Sequence, residues 1–326
     1  PEELDRTTGR GLTGETKAPA TVYVPTLKGG AALERCLLSL RDQTVPVEVV
    51  VADNGPGQGC RDLLEGRFPE VTRVAFGENL GFGKALNRAI AAHGTGPIIL
   101  LNDDAVAEPD FSESLLDAYS DGHPAMVAAV MTAARGTIDS AGVVADSTLL
   151  GFDYLTGRPV SDLEGATDPL GPTGGGALYD RESFDAVGGF DENIFLYYED
   201  LDLALRIRAN GGICRLAAGA RAAHGYSETL GAGNPAKYGF TGWSRGYILG
   251  RYRILRRPLD LVKVLIVEGA VCLGQLLTAR TVAGLRSRVT GWRAGRGLPP
   301  REITDAPLVT LGAVKALRLK LARRSQ

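Results

Sequence analysis

The sequence predicts an α/β fold: a mostly parallel sheet covered by helices, followed by a C-terminal helical extension. Three observations carry this reading. Strand-like and helix-like segments alternate from residue 21 onward, and such alternation builds a parallel sheet with crossover helices. Val47–Ala52 (VEVVVA) is a nearly continuous β-branched run, as a strand buried on both faces requires. Beyond about residue 240 the chain changes character and becomes basic and amphipathic.

Thr21–Thr26 (TVYVPT) reads as the first strand. Ala32–Arg41 carries Leu33, Leu37, Leu38 and Leu40 at helical spacing. The Val47–Ala52 strand runs into Asp53-Asn54-Gly55, a turn signal. A short helix near Arg61–Glu65, a strand near Thr72–Phe76, a helix Lys84–His93 and a strand Pro97–Leu101 follow. Pro109 opens a helix to Tyr119, and Ala125–Met131 is the next strand. Residues 132–172, with many Gly, Asp and Thr, read as a variable insertion over the site. Gly174–Ala177, a helix Arg181–Val187, an acidic helix Asp200–Asn210 stopped by Gly211, and a strand Ile213–Ala217 complete the body. Pro258 starts a helix through Ala279. Asp260, Lys263, Glu268 and Gln275 fall on one arc of roughly 140° of that helix, and the rest of it is apolar. No stretch of it reaches ~18 uncharged apolar residues, so it is expected to lie in a membrane plane or pack on the body. Residues 306–324 form a second amphipathic candidate. The expected divisions are a disordered segment 1–19, a catalytic domain 20–240 and a basic helical region 241–326.

The chain has 326 residues, 44% of them hydrophobic, enough for one large domain and an appendage. Its four cysteines form no CxxC pair, which points away from a disulfide framework or zinc ribbon and toward a reducing compartment. Residues 1–20 are polar and show no apolar signal-peptide core. The net charge of −2 hides an asymmetry: residues 241–326 hold 17 Lys+Arg against 4 Asp+Glu, a balance of +13, and the remainder is correspondingly acidic. A basic tail of this kind suits an anionic membrane surface, nucleic acid or another anionic partner. No nucleic-acid recognition motif accompanies it.

Parallel sheets bind ligands at the carboxyl ends of their strands. Pro25-Thr26, Asp53 and Asn102-Asp103-Asp104 all stand at such ends. The last group offers oxygen ligands for Mg²⁺ or Mn²⁺, which take few protein ligands and share the rest with phosphates and water. His224 could add an imidazole. Asp53 could accept a hydrogen bond from a uracil or thymine N–H. Asn79-Leu80-Gly81-Phe82-Gly83-Lys84 precedes a helix, allowing close backbone approach and an amide-rich helix start for anionic oxygens. Glu199-Asp200 opens another helix. Two adjacent carboxylates raise the pKa of one of them, whereas the helix N-terminus favours the anion, so an ionised Asp there suits a general base. Asp202 and Arg206, spaced i,i+4, are expected to form a surface pair.

The segments PT at the first strand end, ADNG, ENLGFGKALN, LLNDDA and GGGALYDRESFDAVGGFDENIFLYYEDLDLALRIRANG, with a following His, resemble family-2 inverting glycosyltransferases, in particular their rhamnosyltransferase-like members. The resemblance covers roughly residues 20–228. It implies a GT-A (Rossmann-like) fold with helices on both faces of the sheet, a nucleotide-diphosphate sugar donor, dTDP- or UDP-linked, and a divalent metal, Mg²⁺ or Mn²⁺. By position it implies base contacts from Thr26 and Asp53 and a donor pocket lined by Pro25, Asn79, Gly81, Lys84, Asn102, Asp103 and Gly175. Asn102 and Asp104 become the ends of the DxD-like metal motif, His224 a metal ligand, Asp200 the base and Glu199 its catalytic neighbour. Asn102 departs from the family pattern and is a poorer ligand than Asp. The implied acceptor is a glycan or a polyprenyl-diphosphate-linked glycan, reached at the inner face of the plasma membrane through the basic tail, which could alternatively serve a homo-oligomer. Two rival readings remain: a sugar-nucleotide pyrophosphorylase, to which PTLKGG is only faintly similar, and a non-catalytic sugar-nucleotide-binding subunit, against which Asp200 argues.

Overall fold

The computed structural model describes residues 20–133, 136–225 and 235–322. The expected disordered segment 1–19 and the Arg323-Arg324 end of the last amphipathic stretch lie outside these residues. Strands β1 (Thr21–Thr26), β2 (Glu48–Asp53), β3 (Thr72–Ala75) and β4 (Ile98–Leu101) are parallel in the order β3-β2-β1-β4. They form here because they are β-branched and apolar runs; Val22, Val50, Val51 and Ile98–Leu101 are fully buried. The sheet continues through β10 (Gly176–Tyr179), β6 (Met126–Ala133), β11 (Cys214–His224) and β5 (Ala105–Ala107), with β7 (Thr137–Ser140) paired to β6. β6 and β11 run parallel to each other, and β10, β5 and β7 are antiparallel to their neighbours.

Helices cover both faces. On one, α1 (Ala31–Arg41), α2 (Gly59–Arg67) and α4 (Phe111–Ser120) bury Leu33, Leu37, Leu64, Phe111 and Leu115. On the other, α3 (Phe82–Ala92), α5 (Arg181–Ala186) and α6 (Glu199–Ala209) bury Leu86, Ile90, Phe184, Leu203 and Ile207. At about 25 cal/mol per Å² of apolar surface, each such side chain contributes roughly 1.5–3 kcal/mol. Cys36, Cys60 and Cys214 are buried and unpaired, as a reducing compartment allows.

The segment 132–172 differs from the expected irregular insertion. It supplies β7 to the main sheet and a separate hairpin, β8 (Val143–Ala145) with β9 (Gly151–Asp153). Its short alternating runs, Ile138, Val143 and Ala145, were obscured by the glycines and aspartates between them. β11 is also longer than expected, because a register shift between Leu216 and Arg221 carries the strand past Gly219 to His224.

The C-terminal region is helical, as expected, and contains two helices that the sequence reading did not delimit. α7 (Pro235–Arg251) and α9 (Ala283–Arg296) pack along each other, backbone close to backbone. A Cβ at Gly246 would overlap the Arg288 carbonyl, and one at Gly291 the Trp243 carbonyl. Between them in sequence, α8 (Pro258–Ala279) has the bounds its proline start implied, and α10 (Ala313–Ala322) follows. A division at residue 240 falls inside α7.

Buried ion pairs lock the helices of the extension to one another and, through Arg301, tie it to the body. Arg245 Nε donates to Glu268 Oε1 at 2.7 Å, and Arg288 Nε to Glu268 Oε2 at 2.7 Å. Arg301 Nη1 reaches Asp202 Oδ1 at 2.6 Å and Asp191 Oδ2 at 2.8 Å. Asp202 also takes Tyr252 Oη at 3.0 Å and Arg206 Nε at 2.8 Å. The Asp202–Arg206 pair is therefore not a surface pair: Asp202 is fully buried because the extension covers that side of α6.

Candidate active site

Every expected site residue lies at the end of the sheet where β1, β2, β4 and β11 finish. Thr26 pairs with Asp53 in register across β1 and β2. Thr26 Oγ1 donates to Asp103 Oδ2 at 2.6 Å and accepts the Gly29 amide at 3.0 Å, so the end of β1 holds the first aspartate after β4. Burial raises the Asp103 carboxyl above its usual range, Thr26 opposes the rise, and Asp104 adds to it. Pro25 occupies the register position before Thr26, opposite Ala52.

Asp53 is buried, and its Oδ2 receives Arg73 Nη2 at 2.7 Å and Nε at 2.9 Å. Arg73 was not a sequence candidate. It lies on β3, 20 residues away, and only the strand pairing brings it to Asp53. Beside this pair, Asn54 and Asn79 organise the glycine loop. Asn54 Oδ1 accepts the Leu80 amide at 2.8 Å, and Asn79 Oδ1 accepts the Gly81 amide at 3.0 Å. Gly81 has φ 86° and lies against Phe195, so a side chain there would be strained and would strike the Phe195 carbonyl. Lys84 stands in the first turn of α3, 3.9 Å from Glu192.

At the far end, β11 and β5 pair so that His224 lies opposite Ala105, next to Asp104. His224 Nε2 is 3.2 Å from Asp104 Oδ1, and its Nδ1 is 3.0 Å from Asp139 Oδ2. Nε2 is buried and poorly aligned for a hydrogen bond. The two carboxylates drive the imidazole pKa up to about 10 against the opposing effect of burial. An imidazole steered through Nδ1 by a carboxylate, with Nε2 turned to a second carboxylate, is a donor set that fits a divalent cation. Among the described residues no three His, Cys, Asp or Glu side chains form a complete metal cage. Asp139 was not a candidate either, because the insertion that carries it shows no motif.

Glu199 and Asp200 open α6 directly after Tyr197 and Tyr198, both left-handed at φ 68° and 71°. Bulky residues adopt this conformation at a cost of about 1–3 kcal/mol each. Glu199 is buried, one of its oxygens lacks a hydrogen bond, and burial with the adjacent Asp200 pushes its carboxyl up to about 8. Asp200 is half-buried; its Oδ1 accepts the Leu201 amide at 2.7 Å and its Oδ2 the Gly174 amide at 3.3 Å. The next residue, Gly175, accepts the Asn102 amide on its carbonyl at 3.2 Å. A Cβ on Gly175 would come within 3.2 Å of Asn102 Nδ2. Two adjacent glycines thus join the start of α6 to the end of β4.

Behind this loop, Phe82 N donates to the Phe195 carbonyl at 2.9 Å, and Phe195 stacks on Phe240 of α7 with centroids 5.0 Å apart. Ser244 Oγ donates to the Leu196 carbonyl at 2.8 Å. A separate cavity of about 640 Å³, lined by Pro97, Tyr119, Asp180 and Arg181, lies at the opposite end of the sheet and shares no residue with the site.

Residues 21–188 match the model of a family described as glycosyl transferase family 2. The chain is 30% identical over 243 residues to an N-acetylglucosaminyl-diphospho-decaprenol L-rhamnosyltransferase of Mycobacterium tuberculosis, covering 67% of this chain and 79% of that protein. It is 31% identical to the succinoglycan biosynthesis protein ExoA of Rhizobium meliloti, covering 60% of each. Among solved structures, a mannosyltransferase of Pyrobaculum calidifontis in complex with GDP-Man and Mn²⁺ aligns with TM-score 0.54 at 17% identity, over 95% of this chain and 81% of its own. GalNAc-T7 with UDP, GalNAc and Mn²⁺ aligns with TM-score 0.58 at 14% identity, over 87% and 56%. At these identities the structural likeness is one of fold, and the fold is GT-A.

Proposed function

The chain belongs to glycosyl transferase family 2, and from that premise we propose that it is a metal-dependent inverting transferase. It moves rhamnose or a similar sugar from a nucleoside diphosphate, dTDP- or UDP-linked, to a glycan carried on a polyprenyl diphosphate. The carrying observation is the Gly174-Gly175 bridge, which binds Asp200 on one side and Asn102 on the other. It supports a reaction in which a base and a diphosphate-binding strand end work on one bond.

In this reading Asp53 and Arg73 meet the base of the donor. Pro25, Thr26, Asn79, Gly81, Lys84, Asp103 and Gly175 shape its pocket. Asp104, His224 and Asn102 would hold the cation, and Asp139 would orient His224. The cation, when bound, neutralises charge on the leaving diphosphate. Asp200 takes the proton of the acceptor hydroxyl at a carboxylate oxygen as that hydroxyl attacks the sugar C1. The attack comes opposite the departing diphosphate, so the anomeric centre inverts without a covalent intermediate. Glu199, protonated near neutral pH, keeps a second negative charge away from Asp200. We further propose that residues 20–240 carry the chemistry, that 241–326 serve attachment, and that the enzyme works at the cytoplasmic face of the plasma membrane.

The test is transfer from a panel of dTDP- and UDP-sugars to polyprenyl-diphosphate-linked N-acetylglucosamine, with Mn²⁺ and with chelator. Product should form only with the cation. Absence of transfer or donor hydrolysis across the panel would refute the reading, and pyrophosphate-dependent cleavage of the donor would favour a pyrophosphorylase.

A further inference from the structure

Helix α8 is built inside out. Its polar arc faces the protein: Glu268 binds Arg245 and Arg288, Lys263 Nζ lies 2.9 Å from Asp146, Asp260 Oδ1 accepts Ser147 Oγ at 2.6 Å, and Gln275 is buried. The opposite side is apolar and exposed, with Leu259 87%, Val262 57%, Leu265 64%, Ile266 54%, Leu273 56% and Leu277 72% accessible. These six side chains share an arc of roughly 120° at 100° per residue, and the helix is about 33 Å long.

We propose that this outward face inserts into the headgroup–acyl boundary of an anionic lipid monolayer, with α8 lying in the membrane plane. The proposal deepens the attachment role proposed above for residues 241–326, on which it rests, and is independent of donor and acceptor. By length and composition α8 is apolar enough to cross a membrane. Its charged residues, however, are fixed to the β8–β9 turn, α7 and α9, so crossing would carry those ion pairs into hydrocarbon, where they are costly. An in-plane helix keeps them on the protein side and sinks only the apolar ridge. The charge distribution names the partner. Arg256 and Arg257 are exposed at one end of α8, Arg280 and Arg286 at the other, within a region whose balance is +13. Anionic headgroups complement such a rim. A second copy of the chain does not, because a two-fold pairing on this ridge sets arginine rim against arginine rim.

The experiment uses the full chain with phosphatidylglycerol–phosphatidylcholine vesicles in flotation. The protein should float with them at low salt, less at high salt, and little with phosphatidylcholine alone. The double variant Leu265→Glu/Leu273→Glu, on the exposed ridge, should lose vesicle binding by at least about tenfold while its thermal midpoint and donor hydrolysis stay unchanged. In parallel, Leu277→Trp should gain fluorescence quenching by brominated lipid over the parent chain, a readout that needs no loss of fold. The proposal is overturned if the chain stays with the soluble fraction at low salt, or if the double variant floats as the parent does. Carbonate-resistant association would mean a spanning helix instead. A parental dimer that the double variant turns to monomer, without vesicle binding, would make the ridge an interface between copies. Floating without any transferase activity would sink the functional reading alone.

Discussion

Glu199 and Asp200 are neighbours with opposite surroundings: the first is buried with an oxygen that meets no donor, and the second holds the amides of Gly174 and Leu201. The contrast separates two carboxylates that sequence alone leaves equivalent. Asp200→Asn should fold, bind donor in calorimetry, and lower turnover by roughly 10²–10⁴-fold, as removal of a general base does. Transfer near the parental rate by that variant would take Asp200 out of the mechanism.

Glu199 gives a pH signature in stability. Its folded carboxyl is held up to about 8, whereas it titrates near 4.5 when unfolded. The folded state therefore binds the extra proton between those values, and stability falls as pH rises through that window. Glu199→Gln should flatten this dependence and be the more stable protein at about pH 8. Urea unfolding of both proteins across the window measures it; parallel curves would mean that Glu199 ionises normally.

Asp104→Ala should weaken Mn²⁺-dependent binding of the nucleoside diphosphate far more than binding of the bare nucleoside, if Asp104 holds the cation as proposed. His224→Ala should show a milder form of the same loss. Isothermal titration with and without chelator decides it, and equal affinities in both conditions would leave Asp104 a turn residue.

Glu268 predicts acid sensitivity of the C-terminal region. Burial raises its pKa, but Arg245 and Arg288 outweigh that and bring it to about 2. Its contribution is present above about 4.5 and is lost as pH falls toward 2. Glu268→Gln leaves two buried arginines short of a counterion, a change that costs about 3–5 kcal/mol. Denaturant midpoints at neutral pH should fall accordingly, and a shift under about 0.5 kcal/mol would show the triad to be solvated.

Gly246→Leu should destabilise the protein by more than the ~1–3 kcal/mol of ordinary overpacking, since the new side chain meets the Arg288 backbone and not a movable side chain. A thermal midpoint equal to the parent's would show that α7 and α9 separate at little cost.

The same glycines explain what the sequence concealed. β1, β2 and β4 were legible because a buried parallel strand must be β-branched and apolar, and their ends carry Thr26, Asp53 and Asn102 without interruption. α8 was legible from Pro258 and its polar arc. The bounds of α7 and α9 were not: Gly242, Gly246 and Gly250, like Gly291 and Gly295, weaken an isolated helix by about 1 kcal/mol each and hide where each helix starts and stops. Their purpose, close approach of two backbones, exists only once the partner helix is in place. Arg73 and Asp139 were hidden for the same reason, because each matters through a residue distant in sequence. The polar arc of α8 was visible, but the direction it faces was not.

Arg301 bears on how the proposed membrane attachment could be removed without harming the fold. Cutting the chain near residue 240 would remove the guanidinium that answers Asp191 and Asp202, along with Tyr247 and Tyr252. Two carboxylates would be stranded beside the helix that carries Asp200. Repainting Leu259, Leu265, Leu273 and Leu277 with polar side chains touches only the outside of α8. Deletion and repainting are therefore opposite operations: one unpicks the interior, and the other changes only what the molecule adheres to.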